Sequence, residues 1–417
     1  MQTIEEQYIF WLEEETKYKI SDVNTDNLKD LIIKDLSYVS SMDVKEYTLY
    51  QKWSEIKRKY PVKKIETLFG EETQLENIED RKHIDDLKND IWKPENIEKY
   101  INISPVLHEM SGDYAYIYNT YRNFTSTQKN NNNIGRNLYF VVKDEKSLKA
   151  LGLICISSDF LDLSPRDKYI GWSRQIKTQE HMINHTAIGS TIIPFQPFGY
   201  NCVGGKLLAL LCLSNTVQKI WKEKYGDVLV GVTTTSLYGT KKPGGLSQYD
   251  NLEYWMKMDF TEGSVSYEIS KPVEFLMLNW LRINFPKKYF EWYVATKETG
   301  QPYKRDHRNR ARLFVFSKLG IPKQLISSEH RRGIYYSSLY DNSNDFLRKE
   351  IREIDLKKSF DTSVNHLTNI WKTNHAKNRV FLLKKKNKFI DEILFYDDLI
   401  YLSWEDTKLK YLSQVGR

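Results

Sequence analysis

Cysteine is scarce in this chain, and what little there is forms no motif. Cys155, Cys202 and Cys212 are the only three in 417 residues. They stand in apolar or loop settings without CxxC spacing, which speaks against a disulfide framework and a cysteine-built metal site. They read as buried thiols in a reducing compartment. Long apolar runs are missing too: none reaches the roughly 18 residues of a membrane-spanning helix. The start, Met1-Gln2-Thr3-Ile4-Glu5-Glu6, lacks the basic and apolar regions of a signal peptide. A cytoplasmic protein without a membrane span is the expectation. Internal repeats and long low-complexity tracts are absent. So are glycine before Gly70 and proline before Pro61.

What is present is a globular composition. Apolar residues make up 40% of the chain, with 28 tyrosines and 10 tryptophans, which excludes global disorder. A chain of 417 residues predicts two or three domains. The formal net charge is +7. The first ninety-odd residues look mildly acidic, with Glu13-Glu14-Glu15, Glu71-Glu72 and Asp85-Asp86. The positive excess therefore sits later, and such asymmetry hints at a polyanionic partner.

Residues 1–95 read as a helical accessory domain. Leu28, Leu31, Ile32, Ile33 and Leu36 recur at helix-like spacing, and Lys93-Pro94-Glu95 is a plausible boundary. A core domain follows over 96–264. Asp113 to Asn119 is aromatic-rich and fits helix or strand. Asn137–Val142 and Leu151–Ile156 are β-rich and predict an antiparallel hairpin. An amphipathic helix through Met182 leads to a strand, Ser190–Phe195. The loop Gly199–Lys206 opens a long helix that closes at Gly226. A second strand, Val228–Thr235, precedes a short helix, Asn251–Lys257. Residues 265–417 form a basic, aromatic-rich α+β region, in which Val273–Leu281 reads as a buried helix.

Several residues carry candidate chemistry. Glycines where a strand turns into a helix point free backbone N–H groups at an anion and let a phosphate approach. Asn201, Val203, Gly204, Gly205 and Lys206 are therefore candidate donor-binding residues, although the same glycines would also allow close strand–helix packing. Leu207 stands where a phosphate-binding Walker loop needs Ser or Thr. Arg166 beside Asp167, with Trp172, could hold a base by stacking or form an internal ion pair beside a core Trp. Tyr238, after the second strand, has the ordinary pKa of about 10 that suits a general acid, and Asp250 could position an acceptor. His181 and His185 have metal-ligand spacing, but no third ligand is evident, so no metal is expected. Basic clusters at Arg305, Arg308, Arg310, Arg312, Arg331, Arg332 and Lys384-Lys385-Lys386, interleaved with aromatics, suit a nucleic-acid backbone or a solvated face. No zinc-finger, RRM or helix-turn-helix signature accompanies them.

Two resemblances emerge from these residues. The order of hairpin, helical excursion, strand, glycine turn, helix, strand, short helix and strand is similar to that of the GNAT acetyltransferase fold. In that fold the glycine turn grips an acyl-CoA pyrophosphate through a Q/R-x-x-G-x-G/A pattern. Here Asn201-Cys202-Val203-Gly204-Gly205-Lys206 stands there, with Asn for Gln/Arg and Lys206 in the last small position. The second is closer. Gly135-Arg136-Asn137-Leu138, Ser157-Ser158 and Pro165-Arg166-Asp167-Lys168-Tyr169-Ile170-Gly171-Trp172 resemble the A component of the Druantia anti-phage defence system, over about residues 134–262. That family's distant GNAT-like cousins include the phage Mom protein, which modifies adenine in DNA.

Together the resemblances imply an α+β protein with a central GNAT-like mixed sheet and helices on both faces. The function they imply is a transferase acting on DNA in phage or host–phage conflict, in the host cytoplasm if phage-encoded. Its donor would be acyl-CoA or another phosphate-bearing molecule, and phage or defence-system proteins would be its partners. A non-catalytic nucleic-acid-binding protein on a repurposed GNAT-like core is the alternative.

Overall fold

A computed structural model describes residues 3–17, 25–67, 70–94, 101–130, 135–239, 247–261, 264–296, 308–329 and 331–415. The chain divides into two compact units, each assembled from separated segments: 1–43 with 262–330, and 44–261 with 331–417.

The smaller unit is mostly helical. Its helix Leu28–Ser40 buries Leu28, Ile32, Leu36 and Val39, one face at three- and four-residue spacing. The helix Lys271–Asn284 buries Val273, Met277 and Leu281 in the same way. Ahead of it, the Ser270 amide donates to the Asp35 carboxylate at 2.8 Å. A third helix, Arg308–Leu319, buries Ala311, Val315 and Phe316.

The larger unit is built on a seven-stranded sheet. Its strands are β1 (Pro105–Glu109), β2 (Asn137–Asp144), β3 (Ala150–Ser158), β4 (Thr186–Pro194), β5 (Gly231–Ser236), β6 (Met256–Phe260) and β7 (Gly333–Ser338). Their order is β1-β2-β3-β4-β5-β7-β6, and only the β4–β5 pair is parallel. A parallel pair needs a crossover, and here two helices supply it: α2 (Gly204–Leu211) and α3 (Asn215–Tyr225). Leu138, Phe140 and Val142 of β2 join the core cluster that holds Leu207–Leu211 and Trp221. Tyr139, of opposite parity, meets Tyr118 of the preceding helix α1 (Ala115–Phe124) at 4.8 Å between ring centroids. Side chains alternate across a strand, so helices cover both faces of this mixed sheet.

Local chemistry corrects several sequence expectations. The hairpin forms as β2 and β3, and the aromatic stretch after Asp113 is helical. Residues 1–95 also contain an antiparallel hairpin, Val62–Thr67 with Gly70–Leu75, so that segment is not purely helical. The long helix after the glycine turn is two. Ser214 ends the first stretch and caps the second, its hydroxyl accepting from the Val217 amide. The short helix expected over Asn251–Lys257 is a run of turns entering β6, because Asn251 and Tyr254 have φ of 53° and 68°, outside the helical region. All three cysteines are buried free thiols. No helix among the described residues is long and apolar enough to cross a membrane.

Candidate functional site

The β4–β5 pair stays together for only three residue pairs, Thr186–Ile188 against Gly231–Thr233. At that point β4 bulges: Gly189 faces Ile156 and Thr191 faces Cys155, leaving Ser190 as the extra residue. Bulges end pairing and are over-represented beside active sites. Beyond it the two strands part. Unpaired strand backbone cannot be left buried without partners, and the side chains of Gln248 and Thr234 supply them, with the Tyr249 hydroxyl between the two. Gln248 Nε2 donates to the Ile192 carbonyl (3.4 Å) and to the Tyr249 hydroxyl (3.0 Å). Thr234 Oγ1 lies 2.9 Å from the Gly189 carbonyl and 3.3 Å from the Tyr249 hydroxyl.

The glycine turn opens onto this gap. Val203, with φ 49°, turns the chain into α2. Gly204 and Gly205 are both buried. A methyl group on Gly204 would stand 2.4 Å from the Phe198 ring, and one on Gly205 would stand 2.1 Å from Gln248 Oε1. The glycine faces are therefore filled by the chain's own side chains. Asn201 is buried as well. Its side chain both donates to and accepts from the Ile390 backbone, at 2.7 and 3.1 Å.

Lys206 and Asp250, assigned separate roles from sequence, lie together. Lys206 Nζ donates to the Asp250 carbonyl at 2.6 Å. The Asp250 carboxylate accepts from Tyr335 Oη at 2.7 Å and from Lys257 at 3.5 Å. Burial pushes the Lys206 amine down, against the opposing pull of Glu253 and Asp250. Burial, and then the hydrogen bond to ionised Asp250, push the Tyr335 hydroxyl up. Tyr238 is a neighbour of Arg332. Burial raises the Tyr238 hydroxyl and lowers the Arg332 guanidinium, and their mutual attraction opposes both shifts.

The Arg166 motif does something else. Its guanidinium is 0% exposed and lies 2.7 Å from the Asp159 carboxylate and 2.6 Å from that of Asp167. It also lies over the Trp172 ring, at 5.3 Å, and the Trp172 indole donates to the Leu347 carbonyl. Burial would lower the Arg166 pKa, but the two carboxylates overcome it and hold it above its ordinary value. This charge is consumed inside the fold, so Arg166 presents nothing to a phosphate. A shallow cavity of about 340 Å³ borders this network, between Asp162, Asp167, Lys168 and Trp172.

The remaining basic candidates fall in different units. Arg308 and Arg310 are exposed, and Arg308 pairs with Glu274 at 3.3 Å. Arg312 donates to the Tyr267 carbonyl. Arg331 is exposed just ahead of β7, and Arg305 lies outside the described residues. His185 contacts the Val228 carbonyl through Nδ1 at 2.9 Å. Gln248 and Tyr249 escaped sequence reading, which noted Tyr335 only among the aromatics that interleave the basic clusters. Tyr335 carried a signal, being in an aromatic β-like run, whereas nothing local distinguishes Gln248.

The fold and site define a mixed α+β protein whose sheet holds one parting parallel pair beside a glycine turn. The profile of the family described as "Druantia protein DruA" matches residues 51–349, well over half of the chain, and the chain belongs to that family. A curated relative, "Druantia protein DruA" of Escherichia coli (strain UMEA 4076-1), is 25% identical over 236 residues, covering 53% of this chain and 55% of the relative. The chain thus spans about half the length of that relative. No solved structure matches it.

Proposed function

We propose that this chain works in anti-phage defence as a nucleic-acid-binding protein on a repurposed GNAT-like core, alongside other components of a Druantia system in the cytoplasm. Family membership supports the defence role. The observation that carries the non-catalytic reading is the filled gap: Phe198 and Gln248 occupy the glycine faces that a phosphate-bearing donor would need. The net charge of +7 supports a polyanionic partner.

A second reading, a GNAT-like transferase that modifies a DNA base, rests on different observations. The order along the chain of hairpin, strand, glycine turn, helices and strand agrees with the order that resemblance implies. Lys206, Asp250, Lys257 and Tyr335 converge next to the glycine turn. An acyl-CoA or similar donor would then require Gln248 to leave the turn, and an acceptor base in a duplex would have to be flipped out at a cost of a few kcal/mol.

The two readings separate on the full-length protein. Thermal melts with acetyl-CoA and free CoA are expected to show no shift. Mass analysis of nucleosides from DNA incubated with the protein is expected to show no new base, while DNA binding persists at low salt. A CoA-dependent shift that Gly204→Glu abolishes would reverse the order of the two readings.

A further inference from the structure

Residues 362–390 carry seven Lys and Arg and no Asp or Glu. The helical stretch from Trp371 to Lys386 lies in this segment, beyond the residues that the family profile matches. Its inner side is fixed to the short helix Phe198–Asn201 that precedes the glycine turn, and to Cys202 at its end. The Trp371 indole donates to the Cys202 carbonyl at 2.9 Å. Arg379 lies 4.5 Å over the Tyr200 ring and donates to the Tyr200 carbonyl. Ala376, Val380 and Leu383 are buried. The outer side is different. Lys377, Phe381 and Lys385 follow one another at four-residue spacing, so they share a face, and all three are exposed. Phe381 is 66% exposed, and Leu382 beside it is 47% exposed.

Among the described residues, Lys377, Lys385, Lys386 and Lys388 pair with no carboxylate. Glu253, which reaches this stretch, is bonded to His375 and Asn374. Lys146, from the β2–β3 turn, adds charge of the same sign. Burial first, and then repulsion from Lys146 and Lys377, lower the Lys372 amine. A surface that holds like charges together without neutralising them stores repulsion that a polyanion relieves.

Resting on the nucleic-acid reading above, we propose that the outer face of the helix Lys377–Lys386 binds single-stranded nucleic acid. Lys377 and Lys385 would take backbone phosphates, and Phe381 would take a base between them. An aromatic ring flanked by cations serves unstacked bases, whereas a duplex offers it only phosphates. An anionic membrane fits less well. An interfacial helix needs a broad free apolar face, and here Ala376, Val380 and Leu383 are buried, which leaves only Phe381 and Leu382 outside.

The test uses the full chain, a labelled single-stranded oligonucleotide, the matching duplex and phosphatidylserine vesicles, over a series of salt concentrations. Circular dichroism confirms that the exposed-site variants fold. The wild type is expected to prefer the single strand. Lys377→Gln with Lys385→Gln should flatten the log–log salt slope by about 1.4, at about 0.7 for each lost phosphate contact. Phe381→Ala should weaken binding by roughly tenfold with the slope unchanged. If the wild type binds and neither variant differs from it, this surface is wrong while the nucleic-acid reading survives. If the wild type binds neither oligonucleotide at low salt, both fall. If the variants lose vesicle binding and keep oligonucleotide binding, the surface belongs to membranes and the inference is overturned.

Discussion

Arg166 sits in the most distinctive string of the sequence, yet its work is structural. It neutralises Asp159, which is itself 0% exposed and whose carboxyl burial pushes up despite the guanidinium. Removing one partner of a buried pair leaves an uncompensated charge, at a cost of about 3–5 kcal/mol. Arg166→Met is therefore expected to lose stability on that scale in urea denaturation. A loss under about 1 kcal/mol would mean that Asp159 is satisfied by its remaining donors, the Thr233 hydroxyl at 2.9 Å, the Phe160 amide at 2.8 Å and Thr186. Lys52 makes a second test at this scale. It is fully buried, bonded to Glu55 and to the Arg122 carbonyl, and burial pushes its amine down to about 7. The unfolded chain holds that proton up to about pH 10.4. Between these values the unfolded state binds more protons than the folded one, so stability rises with pH. From pH 7 to pH 9 the wild type should gain on the order of 1–2 kcal/mol relative to Lys52→Met. Parallel denaturation curves at the two pH values, with no change in their difference, would refute it.

The glycine turn shows how an element acquires its sequence. Gly204 is needed because an aromatic ring fills the space of a β-carbon, and Gly205 because Gln248 does. Phe198 is fully buried and cannot yield, so Gly204→Ala should cost about 1–3 kcal/mol through overpacking. Gln248 can be removed. Gly205→Ala should therefore be destabilising alone and milder in a Gln248→Ala background, a coupling that a double-mutant cycle reads directly. Additive effects would show that the two residues do not meet. From sequence, this turn was legible as a strand-to-helix bend with close backbone approach. Whether a ligand or a side chain makes the approach was not, because glycine answers both needs and Gln248 lies more than forty residues away.

At the scale of the molecule, the sheet was partly legible. Apolar, β-rich runs marked β2 through β5. The last two sheet strands were harder to place. β6 carries Lys257 and Asp259 within five residues and lies at the sheet edge, so its apolar pattern is weak. β7 reaches the sheet from more than seventy residues downstream, after chain that belongs to the other unit. Basic clusters read as one class of surface also diverge here. Arg166 is consumed internally, Arg308 is paired with Glu274, and the lysines from Lys377 to Lys388 stay open to solvent.

What the sequence determined alone is whatever depends on near neighbours: helix faces at three- and four-residue spacing, the hairpin, the glycine bend, and the family string around Arg166. Only the tertiary structure decided which distant residues meet. Burial gives a polar group its partner from wherever the fold brings one, and local spacing holds no record of that choice. For that reason the filling of the bend by Gln248, the joining of Lys206 to Asp250 and the internal use of the Arg166 charge came from the folded molecule.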